Sequence, residues 1–278
     1  MTLLNTELNK SFIQKKVVKI ITGLNNFDIN YIIKVVKASE IANATYIDIA
    51  ANTKIVSIIR SFTNLPICVS SIDPIELYNC TLVGANMVEI GNFDSLYTKH
   101  LFFSPSQIYQ LAKKTKSLIN NIDICVTIPH TLILSDQIKL AINLQNLGIN
   151  VLQTEGLSTK KNIFNKDSNL QDDIIFNSAN KASSALSSTY AMANVVNIPI
   201  ITSSGINSLS APIAMCYGAS AVGIGSALNH YKTIYQMSNY INEIVSSVSY
   251  QNKCLYDKKS IKLNSYNLLQ NYSQIFLI

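Results

Sequence analysis

Four charged side chains stand where alternate residues of apolar strands turn inward: Lys19, Asp48, Glu89 and Glu155. Successive strand residues point to opposite faces, so branched neighbours fix the register. Val18 and Ile20 bracket Lys19, Ile47 and Ile49 bracket Asp48, and Val88 and Ile90 bracket Glu89. Glu155 shares its face with Gln153, while Cys125 and Thr127 turn inward from between Ile124, Val126 and Ile128. An ammonium facing carboxylates can act as a base, an electrophile or an imine-forming amine, and Glu89 or Glu155 can then move the proton. Buried charges are costly unless paired, so the alternative is a Lys19–Asp48–Glu89 ion network that only fills a core. Three carboxylates around one lysine work against a depressed lysine pKa, which makes an electrostatic role at least as suitable as imine chemistry.

His130 ends the string Val126-Thr-Ile-Pro-His-Thr131. There it can do acid–base work, bind a phosphate or carboxylate, or simply hydrogen-bond the backbone. His100 and His230 read as a loop residue and a helix-surface residue. No two histidines have metal-ligand spacing and the inward carboxylates lie on different strands, so no metal site is assigned.

A second group suits an anion. Ala219-Ser-Ala-Val-Gly-Ile-Gly-Ser-Ala227 reads as a short buried strand ending in glycines before a helix, and Ser203-Ser-Gly205 ends the strand upstream. Glycine lets the backbone approach an anion, and helix N-termini supply N–H donors with partial positive charge. Ser204, Gly205, Gly223, Gly225 and Ser226 are therefore the candidate phosphate-binding residues.

The elements that must position these residues alternate between strand and helix. Strands are expected at 17–23, 45–51, 66–72, 87–93, 123–129, 151–156, 199–205 and 221–227, each followed by a helix, the last from Asn229. Asp28, Asp73-Pro74 and Ser104-Pro105 are helix starts. Asn43, Gly84, Gly148 and Gly218 recur just before strands and suit left-handed helix ends. Eight such units predict an α/β fold, a single (β/α)8 TIM barrel, over an open doubly wound sheet. The barrel is placed at 1–250 with a short N-terminal extension, and 251–278 forms a tail or accessory element. The chain has 278 residues, 48% hydrophobic and 14% charged, which is a globular composition. Its net charge of +6 comes from scattered lysine pairs, so no nucleic-acid footprint is read. No apolar run reaches the roughly 18 residues of a membrane span. Five dispersed cysteines without a C-x-x-C spacing point to a reducing compartment.

The strings Lys19-Ile-Ile-Thr-Gly-Leu-Asn-Asn-Phe-Asp28, Tyr46-Ile-Asp-Ile-Ala-Ala51, Met87-Val-Glu-Ile-Gly-Asn-Phe-Asp94, Val126 to Thr131, Gln153-Thr-Glu-Gly156 and Gly223-Ile-Gly-Ser226 fall in order along the chain. Together they resemble the hypothetical-chloroplast-frame family numbered twenty-three, of algal plastids and cyanobacteria. The resemblance implies an aldolase-like barrel of the ribulose-phosphate-binding group, with phosphate at the strand seven and eight loops. It also implies a plastid-encoded protein of the stroma, and it brings no established activity. The loop from Leu157 departs from the family's Gly/Ser/Thr-rich pattern. Three functions are open: an isomerase, epimerase or lyase acting on a small phosphorylated metabolite, an FMN-dependent oxidoreductase, or a non-catalytic phosphate-ligand-binding protein.

Overall fold

The computed structural model describes residues 3–97, 99–156 and 174–249. The loop expected at 157–172 and the tail at 251–278 lie outside the described residues. Eight parallel strands close into a barrel in chain order. They are β1 (Val17–Ile21), β2 (Tyr46–Ala50), β3 (Ile67–Ser71), β4 (Met87–Ile90), β5 (Asp123–Ile128), β6 (Val151–Thr154), β7 (Ile200–Ser203) and β8 (Ala221–Ile224). Closure is made by β1 and β8, which pair with Lys19 opposite Gly223.

The helices are α1 (Thr6–Ile13), α2 (Ile29–Ile41), α3 (Thr53–Arg60), α4 (Pro74–Thr81), α5 (Asp94–Tyr97), α6 (Pro105–Leu118), α7 (Leu134–Leu147), α8 (Ile174–Ala193) and α9 (Ser210–Cys216). A tenth, α10, spans 234–249. The expected starts hold: Asp28 caps α2, Asp73 caps α4 ahead of a proline, and Ser104 forms a capping box with Gln107 on α6. Asn43, Gly84, Gly148 and Gly218 all have positive φ, as the recurring turn requires.

Two apolar clusters follow from strand alternation. Outward branched residues such as Ile47, Ile49, Val88, Ile90, Ile124 and Val126 pack against the helices. Inward Val17, Tyr46, Cys68, Met87, Cys125, Val151, Ile201 and Ala221 form a separate layer low in the barrel. That layer also contains Leu3, Leu8 and Phe12, so α1 plugs the N-terminal end. A buried Asp123 carboxylate accepts from the backbone N–H groups of Leu4 and Asn5 at 2.9 and 3.0 Å and pins the plug. Apolar contacts thereby fill the lower end of the barrel.

The strand boundaries differ most at β8. The expected strand ran to Ala227, but Gly225 takes φ −128°, ψ −99°, outside the ordinary strand and helix wells. The chain then winds into a 3-10 turn over Ser226–His230, and the helix expected from Asn229 begins at 234. The turn brings Ser226, Ala227, Asn229 and His230 to the barrel mouth.

Candidate functional site

Lys19, Asp48 and Glu89 meet in the layer above the apolar one, all essentially buried. The Lys19 ammonium bonds Asp48 Oδ2 at 2.9 Å, Glu89 Oε2, and Gln153 Oε1 at 2.8 Å. All three ammonium N–H donors are thereby used. Each carboxylate also draws on one hydroxyl, one amide and one thiol. Asp48 accepts from Ser70 Oγ at 2.6 Å and Asn92 Nδ2 at 3.1 Å, and bonds the Cys68 thiol. Glu89 accepts from Thr127 Oγ1 at 2.9 Å and Gln153 Nε2 at 2.7 Å, and bonds the Cys125 thiol. The Gln153 amide joins the two halves by donating to Asn92 Oδ1 at 3.2 Å.

Electrostatics follow from this geometry. Burial alone would lower the Lys19 pKa, but the charges of Asp48 and Glu89 outweigh it and hold it well above its ordinary value. Burial pushes Glu89 up, against the pull of the ammonium. The Oδ/Oε and Sγ atoms of Asp48, Cys68 and Glu89 lie within 4.8 Å of one another, a spacing a metal could use. Lys19 already bonds both carboxylates there, and burial raises the Cys68 thiol pKa and keeps it protonated. The donor set fits an ammonium.

Titration gives one consequence. Burial raises the Tyr46 pKa, and burial together with the Glu155 charge raises that of Tyr97. Above about pH 10, lysine and tyrosine in the unfolded chain lose protons, while Lys19, Tyr46 and Tyr97 in the fold keep theirs. The folded state then binds more protons, so stability is full below that pH and falls as pH rises. Urea midpoints between pH 8 and 11 should decline, and the slope should flatten in Lys19→Met and Tyr97→Phe. Equal slopes in wild type and variants would refute it.

Above the ion network lies a cavity of about 850 Å³ at the C-terminal ends of the strands. Ser204, Gly205, Gly223, Gly225 and Ser226 all line it. Ser204 and Gly205 take φ of 82° and 72° in succession. A Cβ on Gly205 would fall 2.1 Å from the Lys181 carbonyl oxygen, so only glycine fits. At Gly225 the nearest atom to such a Cβ is Ile21 Cβ at 3.6 Å, so the absent side chain leaves the mouth open.

Glu155 also lines the cavity, whereas Lys19, Asp48, Glu89 and His130 do not. The floor over the network is made by Asn92, Thr127 and Gln153. The structure thus divides the sequence-predicted charges into two groups. Lys19, Asp48 and Glu89 form one, and Glu155 with His130 the other. The Glu155 carboxylate accepts from the Asp94 N–H at 2.8 Å and Tyr97 OH at 2.6 Å, and pairs with His130 Nδ1 at 3.1 Å. Tyr97 meets the His130 ring edge-on, with centroids 5.0 Å apart. Such a carboxylate can take or give a proton at the cavity wall while its neighbours fix its orientation.

Sequence reasoning did not reach Tyr97 or Ser70. Ser70 was legible as the inward alternate of Cys68 on β3. Tyr97 lies on a four-residue helix in the loop after β4, with no periodicity to announce it. His230 was read as a helix-surface residue and instead borders the cavity from the 3-10 turn, because the chain leaves strand geometry at Gly225. Asp94 begins α5, and its backbone N–H donates to Glu155.

These features define a (β/α)8 barrel with one end plugged, a polar core, and an open cavity where the strands end. The chain belongs to the family described as "Protein of unknown function (DUF561)", whose model matches residues 3–254. It is 49% identical to the uncharacterized protein ycf23 of Antithamnion sp., over 92% of each chain. It is 38% identical to that of Cyanophora paradoxa, over 89% of this chain and 98% of the relative. The family expected from the strand-end strings is thus the one found. Among solved structures, the fold is similar to (S)-3-O-geranylgeranylglyceryl phosphate synthase from Thermoplasma acidophilum in complex with sn-glycerol-1-phosphate, with TM-score 0.60 and 12% identity over 89% of this chain and 98% of that one. It is also similar to 3-hexulose-6-phosphate synthase, with TM-score 0.56 and 11% identity over 83% and 99%. Both likenesses concern the aldolase-like barrel fold. No described helix is long and apolar enough to cross a membrane.

Proposed function

We propose that this protein binds a small phosphorylated metabolite at the barrel mouth and moves a proton on it, as an isomerase, epimerase or lyase. The observation that carries the reading is that all five Gly/Ser phosphate candidates share one cavity with the Glu155 carboxylate. The phosphate would lie on the loops after β7 and β8, where glycines and the leading N–H groups of the 3-10 turn offer donors. Glu155, the residue after β6, would face the reacting carbon, with Tyr97 and His130 holding it in place. Lys19, Asp48 and Glu89 would act from beneath by fixing the Gln153 and Asn92 amides of the floor. Similar barrels whose names include phosphorylated compounds support the ligand class. The ycf23 relatives of algae support a place in the plastid stroma.

The FMN reading draws on a different wall of the cavity. Tyr231 and Tyr240 line it with ring centroids 5.1 Å apart and offer aromatic surface to a planar ring. Addition of FMN to the purified protein should then shift the flavin absorbance and quench its fluorescence. The non-catalytic reading draws on the fully satisfied ion network.

Mass spectrometry of small molecules that co-purify with the native protein tests the phosphate site against a Gly225→Asp variant. A Cβ has room at that position, and a carboxylate among those N–H groups should repel phosphate. Phosphorylated species retained by the native chain and lost from the variant are expected. Equal retention by both would remove the site.

A further inference from the structure

We infer that the outer wall formed by α8 and α9 is a homodimer interface, where two copies of this chain pack face to face about a two-fold axis. From Ala182 to Tyr231 the sequence contains no Asp, Glu, Lys or Arg, in a chain that is 14% charged overall. That stretch supplies most of α8, all of α9, and the strands they cover.

Strand burial explains the lack of charge on β7 and β8, but not on the solvent side of the helices. On α9 and the residues that flank it, Leu209, Ile213 and Tyr217 recur every four residues and form one outward stripe. They are 45, 40 and 42% exposed. Tyr190 on α8, 58% exposed, meets Tyr217 edge-on at 5.6 Å and joins the two helices into one surface. Val195, just past α8, extends it. Depletion of charge with exposed aromatic and aliphatic side chains is the composition of an interface centre.

The occupant follows from charge. Two molecules each carrying a net charge of +6 repel across most of their surface. From Ala182 through α9 no like charges meet, because neither copy presents any there; Lys181, the charged residue of α8, lines the cavity instead. An isologous contact brings the same patch from both copies together, so an apolar, uncharged stripe is its own complement. The opposite flank differs: Ile58, Ile75 and Leu82 are exposed on and after α3 and α4, but Lys54 and Glu76 stand on the same helices. A dimer through the side wall also leaves the barrel mouth open, independently of the ligand proposed for it.

Light scattering and sedimentation equilibrium on the full chain should show a dimer. Ile213→Lys and Tyr190→Lys should each weaken it on the order of 100-fold or more, since the two-fold axis counts every substitution twice. Both positions are exposed, so circular dichroism should show both variants folded. Ile75→Lys, on α4, should leave the dimer intact. A monomeric wild-type chain at high concentration would overturn the inference, as would a dimer insensitive to both α8–α9 substitutions. So would a monomer whose face is covered by its own C-terminal residues or by another protein.

Discussion

Replacing Lys19 by methionine should cost about 3–5 kcal/mol of stability, the usual penalty for removing one partner of a buried ion group. Methionine fills similar volume, so the loss comes from charge. Asp48 and Glu89, both at most 1% exposed, would be left facing each other without the ammonium between them. The Gln153 carbonyl oxygen would also lose its donor. One carboxylate would then take up a proton, so the variant should gain stability on acidification over a range where wild type does not. Adding Asp48→Asn and Glu89→Gln to Lys19→Met removes both stranded charges while keeping oxygen acceptors for Ser70 and Thr127. That triple variant should recover a large part of the loss. Replacing the same residues by wholly apolar groups should not, because Ser70, Asn92, Thr127 and Gln153 would keep polar atoms without partners. Urea unfolding followed by circular dichroism measures all of these. A Lys19→Met variant as stable as wild type would show that the network contributes nothing net.

How much of this could be read from the sequence depended on local periodicity. The barrel was legible because branched residues alternate with small or polar ones in strands such as β2, β5 and β8, and the inward register of Lys19, Asp48 and Glu89 followed from their branched neighbours. The apolar plug was not, because α1 is eight residues long and its purpose lies in contacts with residues such as Met87 and Cys125, far along the chain. The separation of Glu155 from Lys19 was also illegible. Alternation places both side chains inward but does not say at what height. Barrel shear sets the height, and the hydrogen bonds from α5 and the β5 loop draw Glu155 to the rim. The cavity-lining glycines were legible because loop glycines carry their constraint in their identity. Gly205 is an example, its position defined by the Lys181 carbonyl 2.1 Å from any Cβ.

Glu155→Gln should separate chemistry from binding. Glutamine keeps the shape and one carbonyl oxygen, so it can still accept from the Asp94 N–H or the Tyr97 hydroxyl. It cannot take a proton from a carbon acid, nor carry the charge that pairs with His130. Once a co-purifying ligand supplies the assay, turnover should fall roughly 10²–10⁴-fold, the span attributed to a positioned general acid or base. Affinity for the phosphorylated ligand should stay within a few-fold, because the loops after β7 and β8 are untouched. Tyr97→Phe serves as the companion: it removes one hydrogen bond from the carboxylate, leaves the carboxylate in place, and should move the pH profile of turnover more than its maximum. Gly225→Asp should do the opposite to Glu155→Gln, abolishing binding. If Glu155→Gln bound the ligand and turned it over at the wild-type rate, the carboxylate would have no part in the chemistry. The cavity would then be left to a binding role, with its buried ion network serving stability alone.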